Sequence, residues 1–91
     1  MTSFEKMEEI KQNHEALRIE FIRTELDMAV TFCQVARSTD KETNARRNIE
    51  NAKRAYATAE KSLQKASLTE AESREIGEQM KKVKSMIEDL E

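Results

Sequence analysis

Proline is absent from this chain of 91 residues, and glycine occurs once, at Gly77. Proline is the strongest breaker of α-helices, so its absence from a whole domain favours an all-α protein. The length corresponds to one domain, and we predict a single domain over residues 1–91. A chain this short buries a bit over ~60% of its unfolded surface, so its stability depends on good packing or on association.

Three segments with the pattern T-x-x-E predict where helices begin: Thr2–Glu5, Thr39–Glu42 and Thr69–Glu72. In such a capping box the threonine oxygen accepts a hydrogen bond from the backbone three residues on, and the glutamate reaches back to the threonine N–H. The predicted helices cover residues 3–37, 40–66 and 70–90. Because the breaks between them are short, we predict an up-down-up, antiparallel three-helix bundle with coiled-coil-like packing.

The second predicted helix has apolar residues at alternating steps of three and four: Ile49, Ala52, Tyr56, Ala59, Leu63 and Ala66. This is an a/d seam with alanine at every d position. Since alanine lets a neighbouring backbone approach to ~8 Å, we expect Ala52, Ala59 and Ala66 to face another helix. A similar seam in the third helix contains Gly77. Two explanations of this glycine remain open: a neighbouring helix approaches it closely, or the helix simply tolerates it.

The first predicted helix has two apolar stripes. One consists of Leu17, Phe21, Met28, Phe32 and Val35, and the other of Ile19, Ile22, Leu26, Ala29, Cys33 and Ala36. Together they span roughly 200° of the helix surface, against roughly 100–120° on the other helices, so two shorter neighbours cannot easily cover both stripes.

Antiparallel pairing also predicts an overhang at the start of the first helix. Ala66 lies opposite about residue 11 in this arrangement, so residues 1–10 extend beyond the bundle. We therefore predict a homodimer through helix 1, with these partner-binding residues: Phe4, Met7, Ile10, Ile19, Ile22 and Leu26. The alternatives are a frayed N-terminus and a groove that receives the helix of a different protein.

The charge balance argues against a general attraction to polyanions. Charged residues make up 37% of the chain, but the net charge is only −2. Without a strong net charge there is no global field to attract nucleic acid or an anionic membrane. The second helix is locally basic, with Arg47, Arg54, Lys61 and Lys65 on the face opposite the alanine seam. Weak binding of nucleic acid or an anionic surface there is the alternative function, although no aromatic residues interleave to stack bases.

The residues that carry chemistry are few. The single histidine, His14, is expected at the core edge or in solvent, and the single cysteine, Cys33, among apolar neighbours. A metal site needs several convergent ligands, and a phosphate-binding loop needs glycines. We therefore predict no enzymatic activity, cofactor, metal or small-molecule substrate. A small-ligand or metal carrier with a pocket between helices is a third hypothesis.

The location is predicted from cysteine usage and from hydropathy. One cysteine excludes an intramolecular disulfide and fits a reducing compartment. No apolar run approaches the ~20 residues of a membrane span, and the acidic first twelve residues lack the apolar core of a signal peptide. We expect a cytoplasmic protein.

Two short patterns resemble known helical proteins. Ala52, Tyr56 and Ala59 match the A-x3-Y/F-x2-A spacing in the second helix of tetratricopeptide-type hairpins. The three-helix layout is similar to MIT-type adaptor domains, which bind partner helices in surface grooves.

A longer resemblance extends from about Phe21 to Glu72. The segments "ELDMAVTF" (25–32) and "NAKRAYAT" (51–58) resemble small uncharacterised bacterial helical proteins with the patterns E-L-x-x-A-x-T-F and N-A-x-x-A-Y-x-T. This resemblance implies no particular activity. The predicted function is a non-enzymatic helical protein–protein interaction module, whose partner is itself or another helical protein.

Overall fold

A computed structural model of the chain describes residues 2–91, apart from the side chains of Phe4, Lys11 and Gln12. About 87% of the chain is helical, and no strand occurs within the described range. The helices are α1 (Ser3–Ser38), α2 (Glu42–Leu63) and α3 (Glu70–Leu90), and α1 is long and bent. The predicted all-α class with three helices is confirmed.

Two of the three predicted capping boxes are present, at Thr2 and Thr69. The Thr69 hydroxyl accepts from the Glu72 N–H at 3.1 Å, and the Glu72 carboxylate accepts from the Thr69 N–H at 2.9 Å. The hydrogen bonds from the Thr69 backbone and hydroxyl lower the pKa of Glu72. These boxes begin α1 and α3 where the sequence predicts.

The third predicted capping box, at Thr39, is wrong. Thr39 closes α1 instead, because its N–H donates to the Val35 carbonyl at 3.1 Å. Lys41 is the N-cap of α2, without a capping side chain. α2 also ends three residues before the predicted position, since the N–H groups of residues 65 and 66 donate to carbonyls only three residues back, at Ser62 and Leu63.

The core is built from one stripe of each helix. α1 packs mainly against α2, while α3 makes smaller contacts with both. The buried cluster consists of Ile19, Ile22, Leu26, Ala29 and Cys33 of α1, Ala52, Ala55 and Ala59 of α2, and Ile76, Met80, Val83 and Ile87 of α3. Ala52 and Ala59 are fully buried, as predicted, whereas Ala66 lies beyond α2 and is partly buried against the cluster.

Polar contacts give the relative positions of the helices. Arg23 contacts Glu75 at 3.3 Å, and Asp27 accepts a hydrogen bond from Gln79 at 3.1 Å. From the first contact to the second, the residue numbers rise by four on both α1 and α3. Arg18 donates to the carbonyl of Lys65, just beyond the end of α2, at 2.7 Å.

The overhang of α1 is longer than predicted. The α2–α3 connection lies beside Glu15 and Arg18 rather than beside residue 11, because α1 ends at Ser38 and α2 begins only at Glu42, which moves the turn between them to about residue 40. Every described side chain among residues 2–14 is exposed. We call residues 3–14 the N-terminal arm.

The alanine contact predicts a stability effect that depends on position. Replacing the fully buried Ala59 by leucine should lower the free energy of unfolding by ~1–3 kcal/mol through overpacking. The matched control is Ala57→Leu, on the exposed side of the same helix, which should change it by less than ~0.5 kcal/mol. Urea denaturation of both variants is the measurement, and equal stabilities would contradict the assignment of Ala59 to the helix contact.

Gly77 is tolerated rather than required. It lies within α3 without a positive φ angle, and a Cβ added there meets no atom within 4 Å. Gly77→Ala should therefore raise the free energy of unfolding by ~1 kcal/mol, the difference between glycine and alanine in a helix interior. A destabilised variant in thermal or urea denaturation would show that a neighbour approaches this position closely.

Candidate interaction surface

An exposed apolar seam extends along most of α1. Six large apolar side chains on this helix are between 42% and 69% exposed: Met7, Ile10, Leu17, Phe21, Met28 and Val35. With the exposed His14, Thr24 and Thr31 between them, they follow alternating steps of three and four from residue 7 to residue 35. We call these nine residues the exposed seam. It is an a/d seam of four heptads, about 42 Å long at 1.5 Å per residue.

The exposed seam differs from the predicted partner-binding set. Met7 and Ile10 belong to it, and the side chain of Phe4 lies outside the described residues. Ile19, Ile22 and Leu26 are at most 8% exposed, so their assignment to a free surface is wrong. α2 and α3 together cover that stripe of α1 and leave most of the other one in solvent, except Phe32, which packs against the buried cluster.

The sequence contains one signal that separates the two stripes. Every a/d position of the buried stripe is apolar from Ile19 to Ala36, whereas His14, Thr24 and Thr31 interrupt the exposed one. A stripe with polar interruptions tolerates solvent better. This difference identifies Leu17, Phe21, Met28 and Val35 as surface residues that the first prediction missed.

A shallow groove of about 220 Å³ lies between α1 and α2, beside the exposed seam. Its lining comes from Glu25, Met28 and Phe32 on α1 and from Asn51, Arg54, Ala55 and Thr58 on α2. The segments 25–32 and 51–58, which carry the longer resemblance, meet here. A second hollow of about 310 Å³ lies further along the same side, between Arg18 and Phe21 of α1 and Thr58, Lys61, Ser62 and Lys65.

The basic face of α2 therefore borders the exposed seam. Its four predicted residues, Arg47, Arg54, Lys61 and Lys65, are all exposed. Arg54 lines the groove beside Met28, and Lys61 and Lys65 line the hollow beside Phe21. Arg47 lies one heptad before Arg54, outside both depressions. The structure thus places apolar and basic side chains on one side of the molecule.

Ion pairs fix the place where the arm leaves the helical core. The Glu15 carboxylate accepts from Arg18 at 2.9 Å and from the Ser67 N–H at 2.9 Å. Arg18 also binds the Lys65 carbonyl, so one pair of side chains holds the α2–α3 connection against α1. At the opposite end, a hydrogen bond to Glu91 raises the pKa of Lys53 and joins α2 to the end of α3.

The two residues with potential reactivity are far from forming a common site. His14 is exposed within the seam, whereas Cys33 is a buried free thiol whose pKa is raised by burial, with Arg37 opposing the shift. Among residues 2–91, no group of three or more His, Cys, Asp or Glu side chains is placed to hold a metal ion. None of the three described helices combines the length and apolarity that crossing a membrane requires.

Comparison with protein-family models, curated protein sequences and solved structures finds no match to this chain. A functional proposal therefore depends on the surface itself: the exposed seam, the bordering groove and the basic face.

The burial of Cys33 predicts slow thiol chemistry. In native buffer it should react with an aromatic disulfide reagent far more slowly than in urea, because the buried thiol is inaccessible and its pKa is raised. A Ser85→Cys variant supplies an internal control, since position 85 is exposed and its thiol should react at once. Equal rates for Cys33 with and without urea would place it at the surface.

Proposed function

We propose that this protein is a non-enzymatic helical interaction module that associates with a second copy of itself through the exposed seam of α1. The observation that carries the proposal is the row of six large apolar side chains in solvent, from Met7 to Val35. Apolar patches beyond a few hundred Å² are unusual on monomeric proteins and mark interaction sites.

A second copy suits this seam for two reasons. A two-fold axis lets one patch serve both subunits, so a single exposed stripe satisfies both chains. An a/d seam also offers knobs and holes of the same spacing to an identical helix. The free thiol of Cys33 supports assignment to a reducing compartment, for which the cytoplasm is the proposal.

In the proposed dimer, each copy is an up-down-up bundle that presents α1 as its interacting edge. The short connections before Glu42 and Glu70 reverse the chain twice, and the Arg23–Glu75 and Asp27–Gln79 contacts support a parallel course of α1 and α3. In such a bundle α2 and α3 cover one side of α1, and the opposite side remains available.

Weak binding of nucleic acid or an anionic surface is the second candidate. The exposed row of Arg54, Lys61 and Lys65 along one side of α2 favours it. A filter-binding titration with single-stranded and duplex DNA tests it, because phosphate contacts produce a steep fall of affinity with salt. Affinity that is lost in an Arg54→Glu/Lys61→Glu variant would support this function.

Self-association predicts twice the chain mass of 10.6 kDa in sedimentation equilibrium. Leu17→Lys/Met28→Lys should shift the protein to monomer with unchanged helix content, because both side chains are exposed within one chain and buried only between chains. Ser85→Lys, on the exposed face of α3, is the control that should remain dimeric. An unmodified chain that stays monomeric at ~100 μM overturns the proposal.

A further inference from the structure

We propose that the two copies pair antiparallel, so that the N-terminal arm of each chain lies along α1 and beside α2 of the other. This inference rests on the proposed self-association and adds the orientation, the contacting segments and the charges that select them. Three features of the chain point to it: the extent of α1 that is covered, the midpoint of the exposed seam and the charge of the arm.

The first feature is the uneven cover of α1. The contacts of Glu15 with Ser67 and of Arg18 with Lys65 mark where the α2–α3 connection ends on α1. Beyond them the arm continues for twelve residues, about 18 Å of helix, and its described side chains are all exposed. The exposed seam nevertheless continues through the arm, with Met7 and Ile10 on it.

The second feature is where the seam is centred. Phe21 lies midway between Met7 and Val35, so antiparallel helices that meet at Phe21 place Met7 opposite Val35 of the second copy. Each arm then lies along residues 28–39 of the other α1, the part that α2 flanks. The two copies of α2 then overlap in length only over about residues 55–63, the C-terminal part of each helix. A parallel pair leaves both arms projecting together, covered only by each other.

The third feature is charge complementarity. The sequence of the arm carries three carboxylates, Glu5, Glu8 and Glu9, against two lysines, Lys6 and Lys11, so its net charge is −1. Arg47 lies in the first half of α2, on its basic face, and forms no ion pair with a described side chain of its own chain. Antiparallel pairing places Glu8 and Glu9 opposite residues 34 and 33, beside Arg47. Parallel pairing places the three carboxylates of one arm beside those of the other, which complementary interfaces avoid.

The groove between α1 and α2 is where these features meet. It combines the apolar walls of Met28 and Phe32 with the guanidinium of Arg54 at its rim. In this register Ile10 of the second copy lies opposite Phe32 and His14 lies opposite Met28, so the end of the arm covers the apolar wall. Glu8 and Glu9 lie further along, opposite residues 34 and 33, toward Arg47 rather than Arg54.

Distances between spin labels distinguish the two orientations. In a Cys33→Ala chain labelled at Glu9→Cys, antiparallel pairing places residue 9 opposite residue 33, so the two labels should lie about 36 Å apart. Parallel pairing places them within about 20 Å, because paired helices lie ~8–10 Å apart. A label at Glu20→Cys, near the centre of the seam, is the control and should give a short distance in both orientations.

Each result decides between the proposals. A distance near 36 Å at position 9 with a short distance at position 20 supports antiparallel pairing. Short distances at both positions overturn the antiparallel arm contact and leave the proposed self-association intact. The absence of dipolar coupling at both positions, together with the mass of a single chain, overturns the self-association itself.

A charge exchange tests the same contact in chains that keep Cys33. Glu8→Lys/Glu9→Lys and Arg47→Glu should each weaken the dimer about tenfold, and an equimolar mixture of the two variants should restore the affinity. Glu78→Lys/Glu88→Lys, on exposed positions of α3, is the control that should leave it unchanged. A mixture that binds no more tightly than the separate variants overturns the contact.

Discussion

The contact between α1 and the alanine side of α2 sets the arrangement of this molecule. Ala52, Ala55 and Ala59 are at most 5% exposed, and they present almost no side chain beyond Cβ. α2 therefore lies close to α1, in the most extensive of the three helix contacts. The large core side chains come instead from α1 and α3, such as Ile22, Leu26 and Ile76. The covered stripe of α1 is the one that α2 and α3 can reach together.

Local signals in the sequence were sufficient to predict three helices and the starts of α1 and α3. They were not sufficient to predict which stripe of α1 is exposed. The capping boxes at Thr2 and Thr69 and the buried Ala52 and Ala59 follow from short-range spacing, which the structure retains. Thr39 satisfies the same local pattern, yet the final turn of α1 uses its N–H. Both stripes of α1 are largely apolar, and only the polar residues His14, Thr24 and Thr31 distinguish the stripe that α2 and α3 leave exposed.

The two candidate functions concern one side of the molecule. Arg54, Lys61 and Lys65 lie at the rim of depressions whose other wall includes Phe21 and Met28 of the seam. A helix bound along the seam approaches these cations, and a polyanion bound to them approaches the seam. Under the two proposals, a second chain and a nucleic acid would therefore compete for this side of the molecule.

Under the proposed self-association, the N-terminal arm adds a conformational component to binding. A helix of about twelve residues is marginal in water on its own, and the arm has no described side chain in tertiary contact to support it. Its helical order depends on continuity with the rest of α1 and on whatever covers it. Ordering the arm costs conformational entropy, which lowers the affinity gained for a given buried area. Under the proposed self-association, such a pair exchanges partners more readily than its apolar seam alone implies.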